Sequence, residues 1–160
     1  MPQEITEPRK PRASLLNLVA SDYPVIAGGL LGPLMEFLSL ARTTFSGDTD
    51  KFLIMLAVAI RTVEHEDFAA SSRQAETGGS LEALPSLGTN IRSIAESIGA
   101  PRETIRRKVA HLVREGWIVR RGNDLNYSAL AYREFTPLRL AAERLAVRNY
   151  EVVDEVLRRS

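Results

Sequence analysis

The sequence predicts a mainly α-helical chain that carries one small β-hairpin. Two observations carry the helical part. Apolar residues recur at three- and four-residue steps through most of the chain, and a Gly99-Ala100-Pro101 step divides two short helical stretches. The third observation is the string Trp117-Ile118-Val119-Arg120-Arg121, Gly122-Asn123-Asp124, Leu125-Asn126-Tyr127-Ser128. It reads as a strand, a tight turn and a returning strand.

Residues 1–12 are expected to form a disordered arm. Pro2, Pro8 and Pro11 break regular structure, and too few apolar residues are present to offset chain entropy. Arg9, Lys10 and Arg12 are placed to brush a phosphate backbone, although a solvated tail is the simpler reading. A helical region is expected over 13–68. Within it, Leu34, Phe37, Leu38, Leu40 and Ala41 follow helical spacing from Leu30 to Phe45. Gly47 stops that helix, and Asp48 caps the next because its carboxylate accepts from free first-turn N–H groups. The next helix, 49–66, is apolar on nearly every face between Phe52 and Ile60. Such a helix belongs at the centre of a domain or against a second subunit.

Residues 69–89 are rich in Ser, Gly, Thr and Pro and are expected to be a linker with one short turn at Leu81–Leu84. Residues 90–128 follow as one unit. Asn90 caps a helix that buries Ile91, Ile94, Ala95 and Ile98, and Gly99 ends it. Pro101 suits the first turn of a second helix, which buries Ile105, Val109, Leu112 and Val113 up to Gly116. Thr136-Pro137 opens a terminal helix over 136–159. Its apolar stripe includes Leu138, Ala141, Ala142, Leu145, Val152, Val153, Val156 and Leu157, and charged residues fill its other faces.

Composition narrows the function. The 160 residues, 44% hydrophobic and 26% charged, have the balance of a soluble globular domain that needs no staples. The absence of cysteine excludes thiol catalysis, disulfides, iron–sulfur clusters and cysteine-ligated zinc. Net charge is only +1, but it is unevenly placed. Residues 88–122 hold eight basic side chains against three acids, whereas 48–84 hold seven acids against three basic ones. A cationic segment of that kind suits a polyanion.

The most apolar stretch, Val25 to Leu34, is interrupted by Gly28, Gly29, Gly32 and Pro33. It falls short of the roughly 20 residues a membrane span needs, so no membrane partner is expected. The N-terminus begins polar, unlike a secretory signal, and a cytoplasmic location is expected. His65 and His111 lack metal-ligand spacing and read as surface histidines. No phosphate loop, nucleophile elbow or paired-carboxylate site is visible. No enzyme, metal or cofactor is therefore expected.

Two short helices, a sharp turn and a hairpin make a winged helix-turn-helix. Ala95 lets the helices cross closely, Gly99 permits the turn and Ile105 fills the interface between them. The string IRSIAESIGAPRETIRRKVAHLVREGWIVRR resembles bacterial winged helix-turn-helix transcriptional regulators of the GntR, IclR and MarR groups. The likeness covers about 40 residues, a quarter of the chain. Pro101 departs from the pattern, standing where many relatives carry a Ser or Thr cap. With Ile105 at the centre of the buried stripe and about 100° per residue, Glu103, Arg107, Ala110 and Arg114 point outward. Thr104, Arg106 and Lys108 flank them.

A major groove about 12 Å wide accepts a helix presented in this way. Arg107 is the first candidate for recognising guanine and Arg106 the second, with Glu103 accepting from a cytosine amine. Arg102 and Thr104 suit phosphates near the helix N-terminus. Lys108 and Arg114 complete the expected helix surface. Arg120 and Arg121 belong to the wing, where backbone or minor groove is met.

The expected function is therefore a transcriptional regulator that binds double-stranded DNA as a homodimer. Half-sites would lie roughly 34 Å apart. Leu138, Leu145, Val152 and Val156 are the expected dimerisation residues, with the N-terminal helices as the other candidate surface. Two alternatives stay open. The winged helix acts as a protein–protein interaction module in a larger assembly, or an unidentified small-molecule effector sits between the N-terminal helices and the terminal helix.

Overall fold

The computed structural model describes residues 12–159, with side chains from Ser14 onward. Of the arm expected over residues 1–12, residues 1–11 lie outside the described residues, and Arg12 is the first residue of a helix. The elements are α1 (Arg12–Thr44), α2 (Thr49–Val63), α3 (Phe68–Glu76), α4 (Ile91–Ile98), α5 (Arg102–Arg114), β1 (Ile118–Arg121), β2 (Asp124–Tyr127), α6 (Ala129–Glu134) and α7 (Thr136–Arg159). The chain is mainly helical, with one two-stranded antiparallel sheet. The described residues divide into two compact units, residues 38–140 and the combination of 12–37 with 141–159.

In the unit formed by residues 38–140, α2 is central and packs on α5, β2, α4 and α3. Asp48 caps it as expected, accepting the Lys51 N–H at 3.1 Å. The helix ends at Val63, three residues early, where the Glu64 N–H closes onto Ile60. Ile54, Met55, Val58 and Thr62 are buried, but Leu56, Ile60 and Val63 are exposed, so α2 is covered on one side only. The core continues through Ile94, Ile105, Val109, Leu112, Ile118 and Leu125. Phe45, Trp117 and Phe135 form an aromatic cluster beside it, edge-on at Trp117 and tilted between the two phenylalanines, with ring centroids 4.8–5.7 Å apart.

Residues 69–89 are not a linker. They complete α3 and then run extended through Ala83 and Leu84, which are 5% and 2% exposed. The Leu84 N–H donates to Tyr127 O at 2.9 Å and the Ala129 N–H to Glu82 O at 3.0 Å, laying this segment beside β2. Its Ser and Gly content signals turns, but the two apolar residues between them decide its burial. The short helix α6 was also outside the sequence expectation. Ser128 is buried and caps it, accepting the Ala131 N–H at 2.9 Å.

In the other unit, the N-terminal part of α1 packs on the distal part of α7. Helix α1 runs unbroken from Arg12 through Pro24, Gly28, Gly29, Gly32 and Pro33, where an interruption was expected. Ile26 and Pro33 are its buried positions there. At Gly29 the absent Cβ is required, because one would stand 2.8 Å from Val152 Cγ2. Local helix-breaking, about 1 kcal/mol per glycine and 3 per proline, is thus outweighed by close helix–helix packing. The Ser14–Thr44 stretch, with a mean hydropathy of 1.5, is long and apolar enough by length and composition to cross a membrane, contrary to the sequence reading.

The stripe on α7 is used in part within the chain. Leu138 and Val156 are 8% and 1% exposed, and Leu145 and Val152 are half-buried. These four residues were expected to form a dimer surface. Leu138 and Val156 are covered by the chain itself, whereas Leu145 and Val152, the latter seated against Gly29, keep part of their surface exposed.

Candidate nucleic-acid interface

Helix α5 is set by three neighbours, α2, α4 and β1. Its inner stripe, Ile105, Val109 and Leu112, is at most 1% exposed. Gly99 makes the turn before it, with φ of +73°, a left-handed conformation that a side chain would strain. The Gly99 and Ala100 N–H groups both donate to Ala95 O, at 2.9 and 3.1 Å, which closes α4 sharply. Pro101 occupies the N-cap position itself, one residue earlier than the first turn expected for it. It has no side-chain acceptor, so the first N–H groups of α5 gain no cap from it.

Two ion pairs tie the inner flank of α5 to the start of α2. Lys108 Nζ pairs with Asp48 Oδ2, and Lys51 Nζ lies 2.8 Å from Glu115 Oε1. Burial pushes the Asp48 carboxyl up. The hydrogen bonds from Lys108 and from the Lys51 N–H, with the charges of both lysines, outweigh burial and hold it below its ordinary value of 3.8. Lys108 and Asp48 are each 23% exposed. Lys108 therefore serves the fold and does not join the outward face, where sequence reasoning placed it on the flank. The reason is a charge partner 60 residues away, which helix periodicity does not reveal.

The outward face carries Glu103, Arg107, Ala110, His111 and Arg114, all exposed. Arg107 and Arg114 make no ion pair or hydrogen bond with any described residue. They are seven residues, about 10 Å, apart along the axis. Arg106 is engaged by Glu103 at 2.6 and 2.8 Å, one turn away on the open surface. The hydrogen bond from Arg106 holds the Glu103 carboxyl below its ordinary value, and Glu103 in return raises the guanidinium. Arg102 is exposed at the first helical position, and Thr104 is half-buried. Val113, expected in the core, is 36% exposed and borders the surface.

The hairpin pairs Ile118 with Tyr127 and Arg121 with Asp124, leaving Gly122 and Asn123 as its loop. Arg120 Nε donates to Gly122 O at 3.0 Å, which folds this side chain along the loop. Arg121 lies 3.6 Å from Glu82, on the segment beside β2. A cleft of about 630 Å³ opens between the hairpin, the first turns of α5 and the start of α4. Asn90, Ile91, Arg92, Arg102, Glu103, Arg106, Arg120 and Asn123 line it, four arginines against one glutamate.

The structure thus brings Arg102, Glu103, Arg106 and Arg120 together. Arg107 and Arg114 stay on the adjoining helix face, and Arg121 and Lys108 are drawn into pairs. Sequence reading missed Arg92 and Asn123 as lining residues. Arg92 belongs to the basic cluster by count, but only the crossing of α4 and α5 brings it to the cleft. Asn90 is a cap, as expected, accepting the Ser93 N–H at 3.0 Å, and it also faces the cleft.

Comparison with family models, curated proteins and solved structures found no match to this chain.

Proposed function

We propose that residues 38–140 form a winged helix-turn-helix that binds double-stranded DNA, with α5 in the major groove and the β1–β2 hairpin as the wing. The single observation that carries the reading is the pair of exposed guanidinium groups, Arg107 and Arg114, which make no ion pair or hydrogen bond with a described residue, beside a cleft lined by four arginines. Cations left without partners on a rigid helix are ready to neutralise phosphates or to reach guanine O6 and N7. The four arginines of the cleft suit the backbone, and Arg107 suits a base edge. Two copies would read a pseudo-palindrome, as a sequence-specific transcriptional regulator working in the cytoplasm.

Selection from random double-stranded DNA tests the reading. The expected result is an enriched motif at low salt, with affinity falling steeply as salt rises because counterions are released. No enrichment overturns it. The competing reading, a protein-interaction module, draws on a groove of about 510 Å³ lined by Leu81, Val113, Val119 and Leu130 among others. It predicts a protein partner that co-purifies and is lost on Leu130→Glu, together with negligible DNA affinity.

A further inference from the structure

Helix α1 leaves a continuous apolar face uncovered. Leu16, Tyr23, Leu31 and Leu34 are 61%, 47%, 52% and 39% exposed. Ala20 is exposed between them and Ala27 is half-buried. At about 100° per residue, all six lie within roughly 40° of Ala27, so they form one seam. No charged side chain stands on it. Pro33 is turned to the buried side of the helix, and Pro24 stands at the flank.

The spacing of this seam is symmetric about Ala27. Tyr23 and Leu31 lie four residues to either side, and Ala20 and Leu34 lie seven to either side. We infer that α1 pairs antiparallel with α1 of a second copy of this chain, about a two-fold axis at Ala27. That arrangement sets Tyr23 against Leu31 of the second copy, Ala20 against its Leu34, and Ala27 against Ala27. Large faces large beside the axis, at Tyr23 and Leu31, small faces large further out, at Ala20 and Leu34, and small faces small on the axis itself. The same patch serves both copies, as a closed two-fold interface requires. The seam offers roughly 500 Å² of apolar surface per copy, in the upper part of what a monomer leaves wet, and about 1,000 Å² for the pair, the lower limit for a specific interface.

A bilayer is the other cover for such a helix, and the packing within this unit argues against it. Arg148 of α7 donates twice to the Glu36 carboxylate, at 3.0 and 3.2 Å, and Val152 seats against Gly29. Inserting α1 would strip away α7 or draw its charged face into hydrocarbon. The inference rests on the two-copy part of the proposed function and not on DNA binding, so its test contains no DNA.

The chain has no cysteine, which makes single thiols informative. Helices 8–10 Å apart, each with Cα atoms about 2.3 Å from its axis, bring facing Cα atoms to about 3.5–5.5 Å, overlapping the range a disulfide spans. Under mild oxidation, Ala27→Cys is expected to link two chains. Tyr23→Cys alone is expected not to, and Tyr23→Cys combined with Leu31→Cys links them again. In sedimentation the unmodified chain is expected to be a dimer, and Leu31→Glu to weaken it about ten-fold or more at unchanged helix content. A monomeric unmodified chain overturns the inference, as does a dimer indifferent to Leu31→Glu. Linking by Tyr23→Cys alone as fast as by Ala27→Cys signals parallel pairing and overturns the axis. A monomer that binds phosphatidylcholine–phosphatidylglycerol vesicles, and loses them on Leu31→Glu, assigns the seam to a membrane instead.

Discussion

Helices α5 and α1 turn opposite chemistry outward. On α5 the apolar stripe is sealed, with Ile105 and Leu112 at 0% exposure, and the charge is left in water. On α1 much of the apolar surface is left in water, Val25 and Met35 at 76% and 66% included. The difference teaches how each helix is to be read. Exposed arginine is well solvated and points to a task only when, like Arg107 and Arg114, it makes no ion pair or hydrogen bond with a described residue. Exposed leucine carries a standing cost in water, at about 25 cal/mol per Å², and calls for a cover.

The largest expected effect breaks the contrast at its root. Leu112→Ala should destabilise residues 38–140 by about 2–5 kcal/mol in urea unfolding, because a sealed position leaves a cavity. Leu31→Ala, measured on dilute chains, should stay within about 0.5 kcal/mol. Equal losses would show that α1 is as covered as α5.

Within α5 the outward cations should separate by role. Arg107→Ala is expected to cost about 1–3 kcal/mol of binding and to relax preference at one base position. Arg120→Ala should weaken all sequences alike and lower the salt slope by about 1. A uniform loss with Arg107→Ala would move that residue to the phosphate class.

The inner flank of α5 supplies a smaller effect. Asp48→Asn keeps the cap but removes the charge opposite Lys108, and should cost about 1 kcal/mol at neutral pH. Because the folded chain holds this carboxyl below 3.8, its contribution is complete above that pH. It is lost as the pH falls through the depressed value. Unfolding midpoints of the two proteins should therefore converge in acid below pH 3.8. A gap that persists there would assign the loss to packing. The smallest effect belongs to the open pair on the outer face. Glu103→Gln should leave the thermal midpoint unchanged and modestly tighten DNA binding by freeing Arg106, as titration at two salt concentrations would read.

The α4–α5–hairpin region was legible in the sequence because its instructions are local. Asn90, Gly99, Gly116 and Gly122 mark its boundaries, and Ile94, Ile105, Val109 and Leu112 repeat at the helical period between them. Arg107 and Arg114 were legible as outward by the same period. Lys108 was misread because period assigns a face and not a partner, and Asp48 lies far away in the chain. Residues 69–89 were misread because turn-rich composition hid two buried residues, Ala83 and Leu84, whose partners sit on β2.

The sequence by itself determined where α4 and α5 start and stop, since caps, glycines and a 3.6-residue period act within a few residues of where they are written. Only the tertiary structure decided that α1 passes unbroken through Gly28, Gly29, Gly32 and Pro33, that α7 buries Leu138, Ala141 and Val156 within its own chain, and that four arginines meet at one cleft. Those outcomes depend on which surfaces meet across long stretches of chain, and there packing energy exceeds the local preferences that a sequence displays.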